Sequence, residues 1–238
     1  MNLNLLNVTS TEYDYDLVEH FVKHYSRFDI DNWYVILHRS TDREPHEARA
    51  FFRSLKPNIR FIEWHDTFLS SEKIKLFNSI ISSFDGYVLL SDIDELQQWK
   101  QEPKDVLLKQ PVVGGNLIDR LPLNSLTKKV DTKVDIFEQF PVKSEISKNI
   151  SRLYSHKACA FHKSYKLVNS HDLTLYGDPV MYMDDPMIDI AHFRFTDKRL
   201  EKTQKRFKEY KKANAAGFPV NYKESEKLIN YFKSKLEK

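Results

Sequence analysis

The sequence has one cysteine in 238 residues, five glycines and no long apolar run. Cys159 alone makes neither an internal disulfide nor a multi-cysteine zinc site, which fits a reducing compartment such as the cytoplasm. The glycines (Gly86, Gly114, Gly115, Gly177 and Gly217) form neither G-x-G-x-x-G nor a Walker A loop. A glycine-rich phosphate cradle is therefore excluded, and a nucleotide would need its phosphates held another way. No apolar stretch approaches the roughly 20 residues that span a bilayer. The opening MNLNLL lacks a basic start and a long apolar segment, so no secretory signal is expected.

What is present is the balance of a soluble globular protein: 41% hydrophobic, 13% aromatic and 30% charged residues. That length suits one large domain, or one domain with a tail. The net charge of +3 is unevenly spread. Residues 197–238 hold 13 Lys/Arg against 6 Asp/Glu, a net of +7, which leaves −4 on residues 1–196. The expected organisation is a domain over 1–196 with a basic amphipathic helical extension over 197–238 packed on it.

The first hundred residues alternate strand and helix patterns. Leu3–Val8, Trp33–Leu37, Arg60–Trp64 and Tyr87–Ser91 read as strands. Between them, apolar residues recur at helical spacing around Leu17–Tyr25, Ala48–Leu55 and Ile74–Phe84. Such alternation predicts an α/β fold, a mostly parallel sheet with helices on both faces. Later strands are expected at Val112–Leu117, Val134–Phe137, Lys157–Phe161 and Ile188–Phe195, followed by two amphipathic helices broken at Gly217-Phe218-Pro219.

The fourth strand runs directly into Asp92-Ile93-Asp94-Glu95. Parallel sheets place ligands outside the carboxyl ends of their strands. Three carboxylates crowded there repel one another unless a cation or hydrogen-bond donors compensate. Mn²⁺ or Mg²⁺ is an economical compensator, because such ions take one or two carboxylates plus phosphate oxygens. The competing expectation is an aspartate that merely caps the next helix.

Phe84–Leu96 (FDGYVLLSDIDEL) resembles the "DGW-v-l-x-D-x-DEF" signature of family-2-like glycosyltransferases with the GT-A fold. Glu12–Asp42 is similar to the opening segment of that group, Gly115–Arg120 and Phe140-Pro141 to downstream segments, and Ile190–Phe195 (IAHFRF) to its late "HF-x-W" motif. The resemblance covers roughly residues 1–200. It implies a GT-A-like (Rossmann-like) mixed, mostly parallel sheet and a transferase that moves sugar from a nucleoside-diphosphate sugar to a glycan, lipid-linked or protein acceptor. It implies a Mn²⁺ or Mg²⁺ site at Asp92, Asp94 and His192, with Asp94 a direct ligand, Asp92 a further ligand or at the ribose or a metal-bound water, His192 completing the shell, and Asp42 reading the base. His38-Arg39 stands where the group often has Asp-Asn, a departure that bears on base recognition.

Other candidates follow from chemistry and position. Arg194 shares a strand face with His192 under period-two alternation and is placed to contact phosphate. Lys75 and Asn78 share a helix face before the fourth strand, where related enzymes bring a basic residue to the diphosphate. An inverting transfer needs a base for the acceptor hydroxyl; Asp119 is the first choice, His171 the second and Glu95 the third. Asp119–Arg120 is alternatively a structural pair. His20 and His24 lie at i, i+4 without the Glu of H-E-x-x-H, so they read as helix-surface residues. Asp184-Asp185-Pro186 reads as a turn, and Cys159 as a small buried residue. On the tail, aromatics sit on the apolar stripe rather than among the lysines, which argues against nucleic acid and leaves peripheral membrane contact open. A haloacid-dehalogenase-type Mg²⁺-dependent phosphatase also carries Asp-x-Asp after a strand, though usually the first. A non-catalytic glycan- or nucleotide-binding module with a transferase-like fold is the remaining alternative.

Overall fold

The computed structural model describes residues 1–10, 15–38, 45–65, 69–151, 156–169, 171–180, 188–215 and 223–236. Asp42, the Asp184–Pro186 turn and the Gly217–Pro219 break lie outside the described residues. The first half is β1 (Leu3–Ser10), α1 (Tyr15–Tyr25), β2 (Asn32–His38), α2 (Pro45–Leu55), β3 (Ile59–Trp64), α3 (Ser70–Ser82) and β4 (Tyr87–Asp92). Next come β5 (Glu95–Gln98), α4 (Pro103–Leu107), β6 (Val112–Leu121), α5 (Ile136–Gln139), β7 (Val142–Ser144), α6 (Ile146–Ser151) and β8 (His156–His162). The small strands β9 (Lys166–Leu167), β10 (Leu173–Leu175) and β11 (Asp178–Pro179) precede β12 (Ile188–His192), α7 (Asp197–Ala215) and α8 (Lys223–Leu236).

The main sheet has the order β3-β2-β1-β4-β8-β6-β12-β5, with β7 on β6, and β9–β11 form a separate three-stranded sheet. Pairing is parallel from β3 to β4 and between β6 and β12, and antiparallel at β8, β5 and β7. Six of these nine strands therefore run one way, the mixed, mostly parallel α/β architecture that the alternation predicts. Side-chain alternation splits the core between the two faces. Leu3 and Leu5 of β1 join α1 and α2 through Phe21, Tyr25 and Phe52. Leu6 and Val8 join α3 through Ile74, Phe77 and Ile81.

β5 follows β4 after two residues, yet three strands separate them in the sheet. The second half of the sheet must therefore curl back on the first, and the Gln97 amide of β5 donates to Leu90 O of β4 at 2.7 Å. Gly115 of β6 lies beneath side chains of both neighbouring strands. A Cβ there would stand 2.5 Å from Cys159 Sγ and 2.8 Å from Ile190 Cγ1, so β8 and β12 close on β6 only over glycine.

Two expected elements differ. Val134–Phe137 is not a strand: the Asp135 side chain accepts from Phe137 N and caps the short helix α5. The last large strand stops at His192, because Phe193 N turns to donate to Asp94 O. The C-terminal helices are packed onto the body. Leu228 and Phe232 of α8 bury against Phe195 and Leu121, and Asp197 N donates to Lys128 O where α7 begins. Among the described residues, no helix is long and apolar enough to cross a membrane.

Candidate functional site

The carboxyl ends of β4, β6 and β12 meet the start of the oppositely directed β5 and β8. Register fixes what gathers there. His192 pairs with Asp119 on one side and with Glu95 on the other. The β4–β8 register runs Tyr87↔His162 to Leu89↔Ala160, and its continuation sets Lys157 opposite Asp92.

The acidic turn is compensated first by lysine. Lys157 Nζ lies 2.6 and 2.8 Å from the two Glu95 oxygens and 3.0 Å from Asp92 Oδ2. Lys73 Nζ donates to Asp92 Oδ1 at 2.7 Å. Both lysines are buried. Burial alone would raise the Asp92 pKa, but Lys157 and then Lys73 outweigh it and hold the carboxyl well below its usual range. Burial also works against the Lys157 ammonium, yet Asp92 and Glu95 keep its pKa above the ordinary value. For Lys73, burial prevails over Asp92 and lowers the pKa. Glu95 further accepts from Asp92 N, tying the turn to itself. Tyr25 braces it from below: its single hydroxyl proton faces Ser91 Oγ at 2.8 Å and Glu95 O at 3.0 Å, and Gln97 N donates to that same hydroxyl. Its pKa is raised, with burial the main cause.

A second chain of contacts carries the remaining groups. Asp119 is buried and accepts from Ser147 N at 2.6 Å, Ser147 Oγ at 2.7 Å and His192 Nδ1 at 3.0 Å. Burial would raise its pKa, but the donors, His192 foremost, lower it. An ionised carboxylate only accepts, so His192 Nδ1 donates to Asp119. Nε2, on the far side of the ring, lies 3.4 Å from Asp94 Oδ2.

That pair opens on a pocket of about 130 Å³ lined by Asp92, Asp94, Glu95, His192 and Arg194 on the sheet side and by Lys202, Thr203 and Arg206 of α7. The basic extension therefore furnishes one wall of the site, and Lys202 does not belong to a purely solvated outer face.

The fit to a divalent ion is partial. Donors about 2.1 Å from one ion and near right angles to each other stand roughly 3 Å apart, close to the separation of His192 Nε2 and Asp94 Oδ2. Asp119 holds the other ring nitrogen, the usual arrangement behind a metal-bound histidine. Asp92, expected as a third ligand, instead has both oxygens on ammonium groups. Among the described residues no group of three His, Cys, Asp or Glu side chains is arranged to hold an ion. Among the described residues, Asp94 and His192 are the pair spaced for one ion.

The remaining candidates fall elsewhere. Lys75 is exposed and paired with Glu72, while Asn78 bonds both N and O of Leu167, tying α3 to β9. Neither lines the pocket. The α3 lysine that reaches the site is Lys73, which shares the stripe of Phe77 and Ile81 at i, i+4, i+8. A lysine on an apolar stripe was the available signal. Likewise Lys157 leads the apolar strand KACAF. His171 Nδ1 donates to His156 O at 3.0 Å, and burial, then Lys157, lowers its pKa. Arg120 turns away from Asp119, donating to Pro141 O and lying over Phe137. Burial pushes up the Cys159 thiol pKa, as expected of an inert core residue.

His20 and His24 are buried rather than on the helix surface, because α5 and β5 cover that face. His24 Nε2 donates to Gln97 O and its Nδ1 accepts from Arg27, and burial lowers its pKa to about 4. Burial lowers His20 as well. The unfolded chain thus binds more protons between pH 6.5 and 4, so stability is full above that window and falls as pH drops through it. For His24 the loss is about 3 kcal/mol by pH 4. Urea titrations from pH 7 to 4 are expected to show this slope, flattened in His24→Gln.

No family model matches the chain, and no curated protein matches it. Among solved structures, S. aureus TarS residues 1–349 shares 11% identity over 99% of this chain and 71% of that one, with a TM-score of 0.43. The 4-diphosphocytidyl-2C-methyl-D-erythritol synthase of Anaerococcus prevotii shares 12% over 68% and 70%, at 0.35. Mannosyltransferase PcManGT from Pyrobaculum calidifontis, solved with GDP-Man and Mn²⁺, shares 15% over 50% and 36%, also at 0.35. With TM-scores below 0.5, none of the three assigns an activity.

Proposed function

We propose that the protein is a nucleotide-sugar-dependent glycosyltransferase of GT-A-like design. One observation carries this reading: Asp94 and His192 meet 3.4 Å apart at the carboxyl ends of the strands, facing a pocket whose opposite wall bears Lys202 and Arg206. Carboxylate and imidazole on one side and cations on the other suit a donor diphosphate, whose oxygens take up both. The quoted sequence resemblance points the same way.

Asp94 and His192 would hold Mn²⁺ or Mg²⁺, which when bound supplies charge stabilisation for a departing nucleoside diphosphate. Asp119 orients His192 and fixes its tautomer. It is a positioning residue here, since Ser147 and His192 already occupy its oxygens. Glu95 is likewise committed to Lys157 and Asp92 N, and no base is assigned. Asp92, clamped by two lysines at the pocket edge, is placed to accept from a ribose hydroxyl. Arg194 and the α7 cations face the phosphates.

The test is a panel of UDP-, GDP- and dTDP-sugars with Mn²⁺, following release of nucleoside diphosphate with and without candidate acceptors. Release from at least one donor, lost in EDTA, is expected. Absence of both binding and release across the panel would overturn the reading, and hydrolysis of generic phosphomonoesters would favour a phosphatase.

A further inference from the structure

Two of the three pocket carboxylates on the turn, Asp92 and Glu95, are neutralised from behind. Lys73 and Lys157 are buried in the body, with their ammonium groups on Asp92 and Glu95. The rest of the lining is Asp94, His192 and Arg194 on the sheet side and Lys202, Thr203 and Arg206 from α7. Arg194 leaves the sheet two residues after His192, and its Nη1 lies 3.5 Å from Ser147 Oγ. Lys202 and Arg206, one helical turn apart, share a face of α7 with Thr203 alongside. Tyr210, one turn further, is buried. The exposed Lys208 and Lys212 lie on other parts of the helix.

We propose that α7 is a diphosphate clamp: Lys202, Thr203 and Arg206 bind phosphate oxygens directly, and do so even without a divalent ion. Charge supports this class of ligand over a neutral one. Counting Asp92, Asp94, Glu95 and Asp119 against Lys73, Lys157, Arg194, Lys202 and Arg206, the site is net positive with His192 neutral. Arginine supplies a planar two-pronged donor, lysine a compact charge and threonine a hydroxyl, the set that phosphate groups accept best. The clamp deepens the transferase reading, because it assigns the C-terminal helix to the donor subsite. It also explains how a chain without a glycine cradle holds phosphate.

The probe is inorganic pyrophosphate, titrated calorimetrically into the whole protein in EDTA. Wild type is expected to bind, more weakly as salt is added. Lys202→Ala/Arg206→Ala is expected to weaken binding at least tenfold. The charge-matched Lys208→Ala/Lys212→Ala should change it less than twofold. Arg206→Gln, which keeps the side-chain stem, should lose about three- to tenfold and guards against misfolding of the double variant, with thermal melts alongside. Equal binding by wild type and the double variant would overturn the clamp, as would equal losses in both doubles or no binding by wild type. Pyrophosphate binding that depends on Lys202 and Arg206, without any sugar-nucleotide release, would keep the clamp and remove the transferase.

Discussion

Urea titration of Lys157→Ala is expected to show a loss of about 3–5 kcal/mol, a large share of the stability of a domain this size. The reason is what the substitution leaves behind. Glu95 is buried, and its two oxygens take the Lys157 ammonium at 2.6 and 2.8 Å, while Asp92 Oδ2 takes it at 3.0 Å. Without that ammonium, Glu95 keeps only Asp92 N among its described partners of this turn and must either stay charged in a poor solvent or take up a proton. Lys73 remains for Asp92, so the loss falls mainly on Glu95. A double-mutant cycle makes this specific. Glu95→Gln added to Lys157→Met should recover at least about 1 kcal/mol relative to the Lys157→Met single variant. If the two losses simply add, the pair is not coupled as described.

The second large effect is catalytic. Asp94→Asn and His192→Ala are each expected to slow nucleoside-diphosphate release by about a hundred- to a thousandfold, as removal of a group that holds charge on the departing phosphate does. Asp119→Asn should cost less, about ten- to a hundredfold, the range for a residue that orients a metal-bound histidine. The informative readout is the Mn²⁺ requirement. A positioning role raises the Mn²⁺ concentration for half-maximal rate, and excess Mn²⁺ restores much of the activity. Loss of a general base would lower the rate at saturating Mn²⁺ and leave the requirement unchanged.

The alternating half of the fold was legible because burial on both faces imposes continuous apolar runs such as WYVIL and YVLLS. The site was legible where it is local: Asp92, Asp94 and Glu95 stand together in sequence and in space. What sequence did not disclose is long-range pairing. Lys157 reaches Asp92 through an antiparallel register between strands 65 residues apart. Metal was expected as the compensator of the acidic turn, because carboxylate crowding shows that a cation is needed without saying which. Two buried lysines supply that compensation at Asp92 and Glu95. Asp119 reads as a base because a lone aspartate ending a strand gives no sign of the donors it accepts from, Ser147 and His192. The +7 segment reads as an extension packed on the domain but not as a wall of the pocket, because no local pattern encodes the long-range contact that brings Lys202, Thr203 and Arg206 to the acidic turn.

The central claim is that Asp94 and His192 together hold a divalent ion on a donor diphosphate. Its most direct test is the affinity of a nucleoside diphosphate measured in EDTA and again in Mn²⁺, for wild type and for Asp94→Ala. Wild type should bind at least tenfold more tightly with Mn²⁺, and Asp94→Ala should bind with the same weak affinity in both. An affinity in wild type that Mn²⁺ leaves unchanged, or a full Mn²⁺ effect retained by Asp94→Ala, would contradict it.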